Sequence, residues 1–164
     1  MNKAWIFGAA ALVGVAVSAC GDDNDGVNPM DGYIEALDAM YPGASRVAEW
    51  ERESGYVVAE FRDAGGFDVD VWYMPSEPVW VMTVTEGATV DDLPEAVSTA
   101  LTTGDYASWS VDDIDYYERP DMQFYVIDVE ARGQKDVSLY YYPDGELIKA
   151  VAEDDHDILP NTKI

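Results

Sequence analysis

The chain has 164 residues, with 33 acidic side chains against 9 basic ones. Its formal charge of −24 at neutral pH gives a surface that repels phosphate backbones, which excludes nucleic acid as a partner. A single cysteine excludes a disulfide framework, and a single histidine excludes a zinc centre built from several His and Cys ligands.

The N-terminus has Lys3, an apolar run from Ala4 to Val17 and small residues ahead of Cys20, the layout of a secretory signal over residues 1–19. That run is too short for a finished membrane-spanning helix. Val17-Ser18-Ala19-Cys20 resembles the lipobox of bacterial lipoproteins, which implies lipidation at Cys20 and a membrane anchor at the mature N-terminus. Residues 20–30 are acidic, glycine-rich and nearly devoid of apolar side chains, so they read as a flexible tether. Within it, Asp22-Asp23-Asn24-Asp25 resembles the acidic tags that send some lipoproteins to the cell surface. An EF-hand register on Gly26 fails, because it places Gly21 and Gly32 where acidic ligands belong.

Tyr33, Ile34, Leu37, Met40 and Tyr41 recur at helical spacing and stop at Pro42-Gly43, which predicts a first amphipathic helix. Period-two alternation then predicts four strands, Val47 to Glu53, Tyr56 to Arg62, Phe67 to Met74 and Val79 to Thr85, separated by Ser54-Gly55, Gly65-Gly66 and Pro75-Ser76-Glu77-Pro78. A second helix, capped by Asp91 or Asp92, follows through Leu93, Val97 and Leu101 to Gly104. Four more strands close the pattern, Ser108 to Tyr117, Met122 to Arg132, Val137 to Tyr142 and Leu147 to Ala152. Short connections make consecutive strands antiparallel.

The second set repeats the first. Asp68-Val69-Asp70-Val71-Trp72-Tyr73-Met74-Pro75 and Asp136-Val137-Ser138-Leu139-Tyr140-Tyr141-Tyr142-Pro143 share acids, alternating apolar residues, aromatics and proline at a constant offset of 68. Val57 to Phe61 falls on Tyr125 to Val129 in the same register, and Gly65 falls on Gly133. The chain therefore divides into repeat 1 over 31–87, repeat 2 over 88–155 and a C-terminal tail over 156–164. Each repeat is one helix followed by a four-stranded meander. About 145 residues remain after the signal, which suits one merged core better than two unstapled small ones.

A lipobox followed by two helix-plus-four-strand units, each with an aromatic strand running into a turn such as Tyr142-Pro143-Asp144-Gly145-Glu146-Leu147, resembles the PepSY-like family, also called beta-lactamase-inhibitor-like proteins. The resemblance covers residues 31 to about 155. It implies an α+β fold with one continuous antiparallel sheet of about eight strands, both helices on one face, and the other face free to meet a partner. It also implies an exported protein of a family mostly without an established activity, and the expectation here is a binding module rather than an enzyme.

The alternation assigns the faces. Phe67, Val69, Val71 and Tyr73, with Val137, Leu139 and Tyr141, belong under the helices. Trp72, Tyr140 and Tyr142 then share the open face with Asp68 and Asp70, fringed by Asp128 and Glu130. Large aromatics with a polar handle suit recognition, so these five are the predicted partner-binding residues. The partner expected is an envelope protein or peptide bearing cations and apolar anchors, bound by a monomer.

Catalytic sets are wanting. The lone histidine, His156, sits in an acidic tail, and neither a phosphate loop nor a dinucleotide fingerprint occurs. Paired carboxylates such as Asp68 with Asp70 or Asp112 with Asp113 leave two alternatives open: a small-ligand or calcium-binding sensor, and a carboxylate-based hydrolase. No catalytic residue, metal ligand or cofactor is assigned.

Overall fold

The computed structural model describes residues 30–152 and 158–164. The predicted signal, Cys20, the tether up to residue 29, and His156 lie outside the described residues.

Helix α1 spans Asp31–Met40 and buries Tyr33 and Leu37 one turn apart. It stops where Pro42-Gly43 cannot continue it, and Gly43 takes the left-handed φ of +88°. The Asp38 carboxylate ties that end down by accepting from the Gly43 and Ser45 amides and from Ser45 Oγ at 2.7 Å. Helix α2 spans Glu95–Thr103 and buries Val97 and Leu101. It starts later than the sequence suggested. Pro94 breaks the turn before it, so Thr89 and Asp92 form a capping box on a separate 3₁₀ turn, Val90–Asp92.

Eight strands follow the predicted order: β1 Glu49–Glu53, β2 Tyr56–Arg62, β3 Asp68–Tyr73, β4 Trp80–Glu86, β5 Ser110–Glu118, β6 Gln123–Glu130, β7 Val137–Tyr141 and β8 Leu147–Ala152. They form one antiparallel sheet in strict sequence order. Four strands thus come from each helix-plus-meander half. The halves meet at β4 and β5 through a short seam, Thr83 with Glu118, Val84 with Tyr117 and Thr85 with Tyr116. By contrast, the β5–β6 ladder runs almost the full length of both strands.

The register shows that both helices cover the same face. One rung runs Phe61, Val69, Thr85, Tyr116, Tyr125, Tyr141 across β2 to β7. Its left end packs with Tyr33 and Leu37 of α1, its right end with Val97 and Leu101 of α2. The predicted helix-side set is placed there as expected: Val69, Val71 and Tyr73 lie in the α1 cluster, and Val137, Leu139 and Tyr141 in the α2 cluster.

The two halves also share a local irregularity. The register shifts between Trp72 and Tyr73 in one hairpin and between Tyr140 and Tyr141 in the other, positions related by the offset of 68. The second hairpin closes on Gly145, with φ +87° and a site for Cβ only 2.6 Å from the Ala96 carbonyl oxygen of α2. Gly145→Ala therefore meets both a disfavoured backbone and a clash with fixed main chain. The expected result is a loss of about 2–3 kcal/mol in urea unfolding, whereas Gly133→Ala, with the same sign of φ but open space around it, should lose about 1 kcal/mol.

Candidate functional site: the helix-free face of the sheet

The face opposite the helices is not open at its centre. Val58, Trp72, Met82, Val84, Tyr117, Phe124, Val126 and Tyr140 form a third buried cluster there, completed by Ile158 with Leu159 and Ile164. The C-terminal segment, read from sequence as a tail, is part of the fold. Two predicted contact residues are consequently core: Trp72 is 5% exposed and Tyr140 is 1% exposed.

Arg119 fastens the segment. It follows β5 directly and is 8% exposed. Its Nη1 donates to the Thr162 carbonyl at 2.6 Å and its Nη2 to the Leu159 carbonyl at 2.8 Å. The segment folds on itself so that both carbonyls face one guanidinium, with Thr162 Oγ1 accepting from the Leu159 amide and the Thr162 amide donating to the Leu159 carbonyl. The guanidinium also lies 5.4 Å from the centroid of the Phe124 ring. On the far side, Lys149 covers Tyr140 with Nζ 4.1 Å above the ring.

The remaining predicted contacts are dispersed. Asp68 is exposed but engaged: Arg62 donates to it through Nε at 2.9 Å and Nη2 at 2.6 Å, which holds its carboxyl below the usual carboxylate range. Tyr142 is 36% exposed and lies past the end of β7, beside a separate shallow cavity shared with Arg119, Met122 and Asp144. Asp128 accepts from Ser138 Oγ at 2.6 Å. The expected patch of Trp72, Tyr140 and Tyr142 fringed by Asp68 and Asp70 is thus not one surface.

Asp70 is different, because it belongs to a group of carboxylates that the sequence reading did not assemble. It lines a half-open cleft of about 250 Å³ with Glu53, Trp72, Val84, Glu86, Tyr117 and the docked Ile158 and Leu159. Burial, then Glu86 and Glu60, push the Asp70 carboxyl up to about 7. Burial, then Asp113 and Glu86, push Asp115 up to about 8. Glu86 is raised as well, by burial and Asp113. Asp115 Oδ1 is buried without a hydrogen-bond partner, and so is the indole nitrogen of Trp72. Among the described residues, no three His, Cys, Asp or Glu side chains converge as metal ligands.

Three solved structures from Bacteroides species share this architecture. A DUF2874 family protein from Bacteroides ovatus is 33% identical, superposes with a TM-score of 0.70, and covers 82% of this chain and 95% of its own. This chain belongs to the DUF2874 family. A BLIP-like protein from Bacteroides fragilis is 33% identical with a TM-score of 0.68, covering 84% of this chain and 96% of its own. A third protein, from Bacteroides eggerthii and described provisionally as periplasmic, is 29% identical with a TM-score of 0.65, covering 74% and 87% of the two chains. No family model and no curated protein matches the chain. The DUF2874 match spans nearly all of the B. ovatus chain, so the common unit is the whole eight-stranded sheet with both helices rather than one half.

Proposed function

We propose that this DUF2874 member is a lipid-anchored envelope protein that binds a protein or peptide partner, in an inhibitor-like manner and without catalysis, through the sheet face its helices leave free. The observation carrying this reading is that the face already holds a peptide: Ile158–Ile164 lies on it, gripped by Arg119 through main-chain carbonyls rather than through side chains. A surface able to hold a polypeptide segment by its main chain suits recognition of polypeptide. The BLIP-like neighbour and the neighbour described as periplasmic support the binding role and the envelope setting. The lipobox at Cys20 supports the anchor, and the paired helix-plus-meander halves support descent by duplication from a PepSY-like unit.

Within that face, the exposed contact elements are the acidic cleft at Asp70 and the hairpin around Tyr142. Photo-crosslinking residues placed at 70 and 142 in the lipidated protein should capture a partner in living cells. The same residue at Glu35 or Thr102, exposed on the two helices, should not. Capture through the helices alone would overturn the assignment of the face.

A further inference from the structure

The acidic cleft has a lining that a solvated acidic face does not need. Its floor is Trp72, 95% buried by relative area, whose indole N–H finds no acceptor. Its rim carries Asp70 and Glu86, and behind Glu86 lies Asp115 with a buried, unpartnered oxygen. The charged neighbours acting on these three carboxylates are all acids: Asp113, Asp128, Asp68, Glu60, Glu53 and Glu51, besides one another. Three of the basic residues are committed elsewhere, Arg62 to Asp68, Arg119 to the carbonyls of Leu159 and Thr162 and Lys149 to Tyr140.

The cleft thus gathers carboxyl groups without a basic counter-charge acting on them beside one orphaned donor, and Val84, Tyr117 and Ile158 add apolar lining. A metal ion alone would answer the carboxylates and leave the indole N–H unpaired, and the carboxylates do not converge for one. A neutral peptide would answer only the donor. Building on the binding role above, we infer that the cleft receives a basic side chain of the partner, its cation meeting Asp70 and Glu86 while an adjacent peptide carbonyl accepts from Trp72 Nε1. The stem of an arginine or lysine suits the apolar walls, and about 250 Å³ accommodates one such side chain.

The indole N–H reports directly on this contact. In nitrogen-15 correlation spectra, the Trp72 Nε1–H peak, assigned with Trp72→Phe, should move on titration with N-acetyl-arginine methylamide and stay in place with N-acetyl-norleucine methylamide or calcium chloride. Asp70→Asn combined with Glu86→Gln should weaken the arginine titration about tenfold or more, and added salt should weaken it in the wild type. Both substitutions remove like-charge repulsion, so the fold tolerates them. The inference is overturned if the peak ignores the arginine compound, if the double variant responds like the wild type, or if calcium alone moves the peak. Should crosslinks at 70 and 142 still capture a partner in any of those cases, the basic-side-chain reading falls while the proposed function stands.

Discussion

Arg119→Ala should cost about 3 kcal/mol in urea unfolding, well above the usual effect of losing a surface arginine. The substitution leaves the Leu159 and Thr162 carbonyls without their charged donor, removes the guanidinium over Phe124 and loosens the cover on Trp72 and Tyr117. Hydrogen bonds to a charged group contribute about 1.5–3 kcal/mol each, and losing two from one site does not add in full. Deleting residues 158–164 should go further. Ile158, 6% exposed, would no longer seal the cluster, so tryptophan emission should shift to the red and a hydrophobic dye should bind. Arg119→Lys keeps the charge but cannot address two carbonyls with one planar fork, and should recover less than half of the loss. If Arg119→Ala unfolds at the wild-type midpoint, the segment does not hold the face as described.

The second large effect is an inverted dependence on pH. A carboxyl whose value is raised on folding binds its proton more tightly in the native state, so stability falls as pH rises between the unfolded and folded values. For Asp70 and Asp115 the window opens near the ordinary aspartate value of 3.8 and closes at about 7 and about 8, respectively. The penalty is absent below pH 4, grows through the window and is complete above pH 8. Both groups are only partly buried, so solvent screening reduces the combined cost to about 2–4 kcal/mol. The wild type should therefore unfold at higher urea at pH 5 than at pH 8. Asp115→Asn should gain about 1–2 kcal/mol at pH 8, little at pH 4, and flatten the profile between them. Wild-type stability that is constant or rising from pH 5 to 8 would contradict the arrangement of Asp70, Glu86 and Asp115.

Most of the scaffold was legible because two periodicities coexist in the chain. Alternation in Phe67 to Tyr73 and Val137 to Tyr141 assigned the helix side correctly, and the helical spacing of Tyr33, Leu37, Val97 and Leu101 gave the elements that cover it. The same reasoning failed on the other face. Alternation implies one wet side, although Val57-Val58-Ala59 and Phe124-Tyr125-Val126-Ile127 are continuous apolar runs. Such runs mark strands buried on both faces, and they were the available signal that something covers Trp72 and Tyr140. The covering segment was hidden for another reason. Ile158-Leu159-Pro160-Asn161-Thr162-Lys163-Ile164 has no period, contains a proline and pairs with no strand, so no local pattern announces that it docks. Nor could the acidic cleft be read from spacing, since Glu53, Asp70, Glu86 and Asp115 come from four different strands and meet only through the register.

The docked segment also spans the joint between the halves, touching Trp72 and Val84 on one side and Tyr117 and Phe124 on the other. That joint has the shortest ladder in the sheet. Synthesis proceeds from the N-terminus, so each meander can zip up as it emerges, while the clasp between them follows both in the chain. The joint is therefore sealed only after both meanders have paired, and a chain lacking residues 158–164 would hold two well-paired hairpin stacks without the latch that makes them one cooperative body.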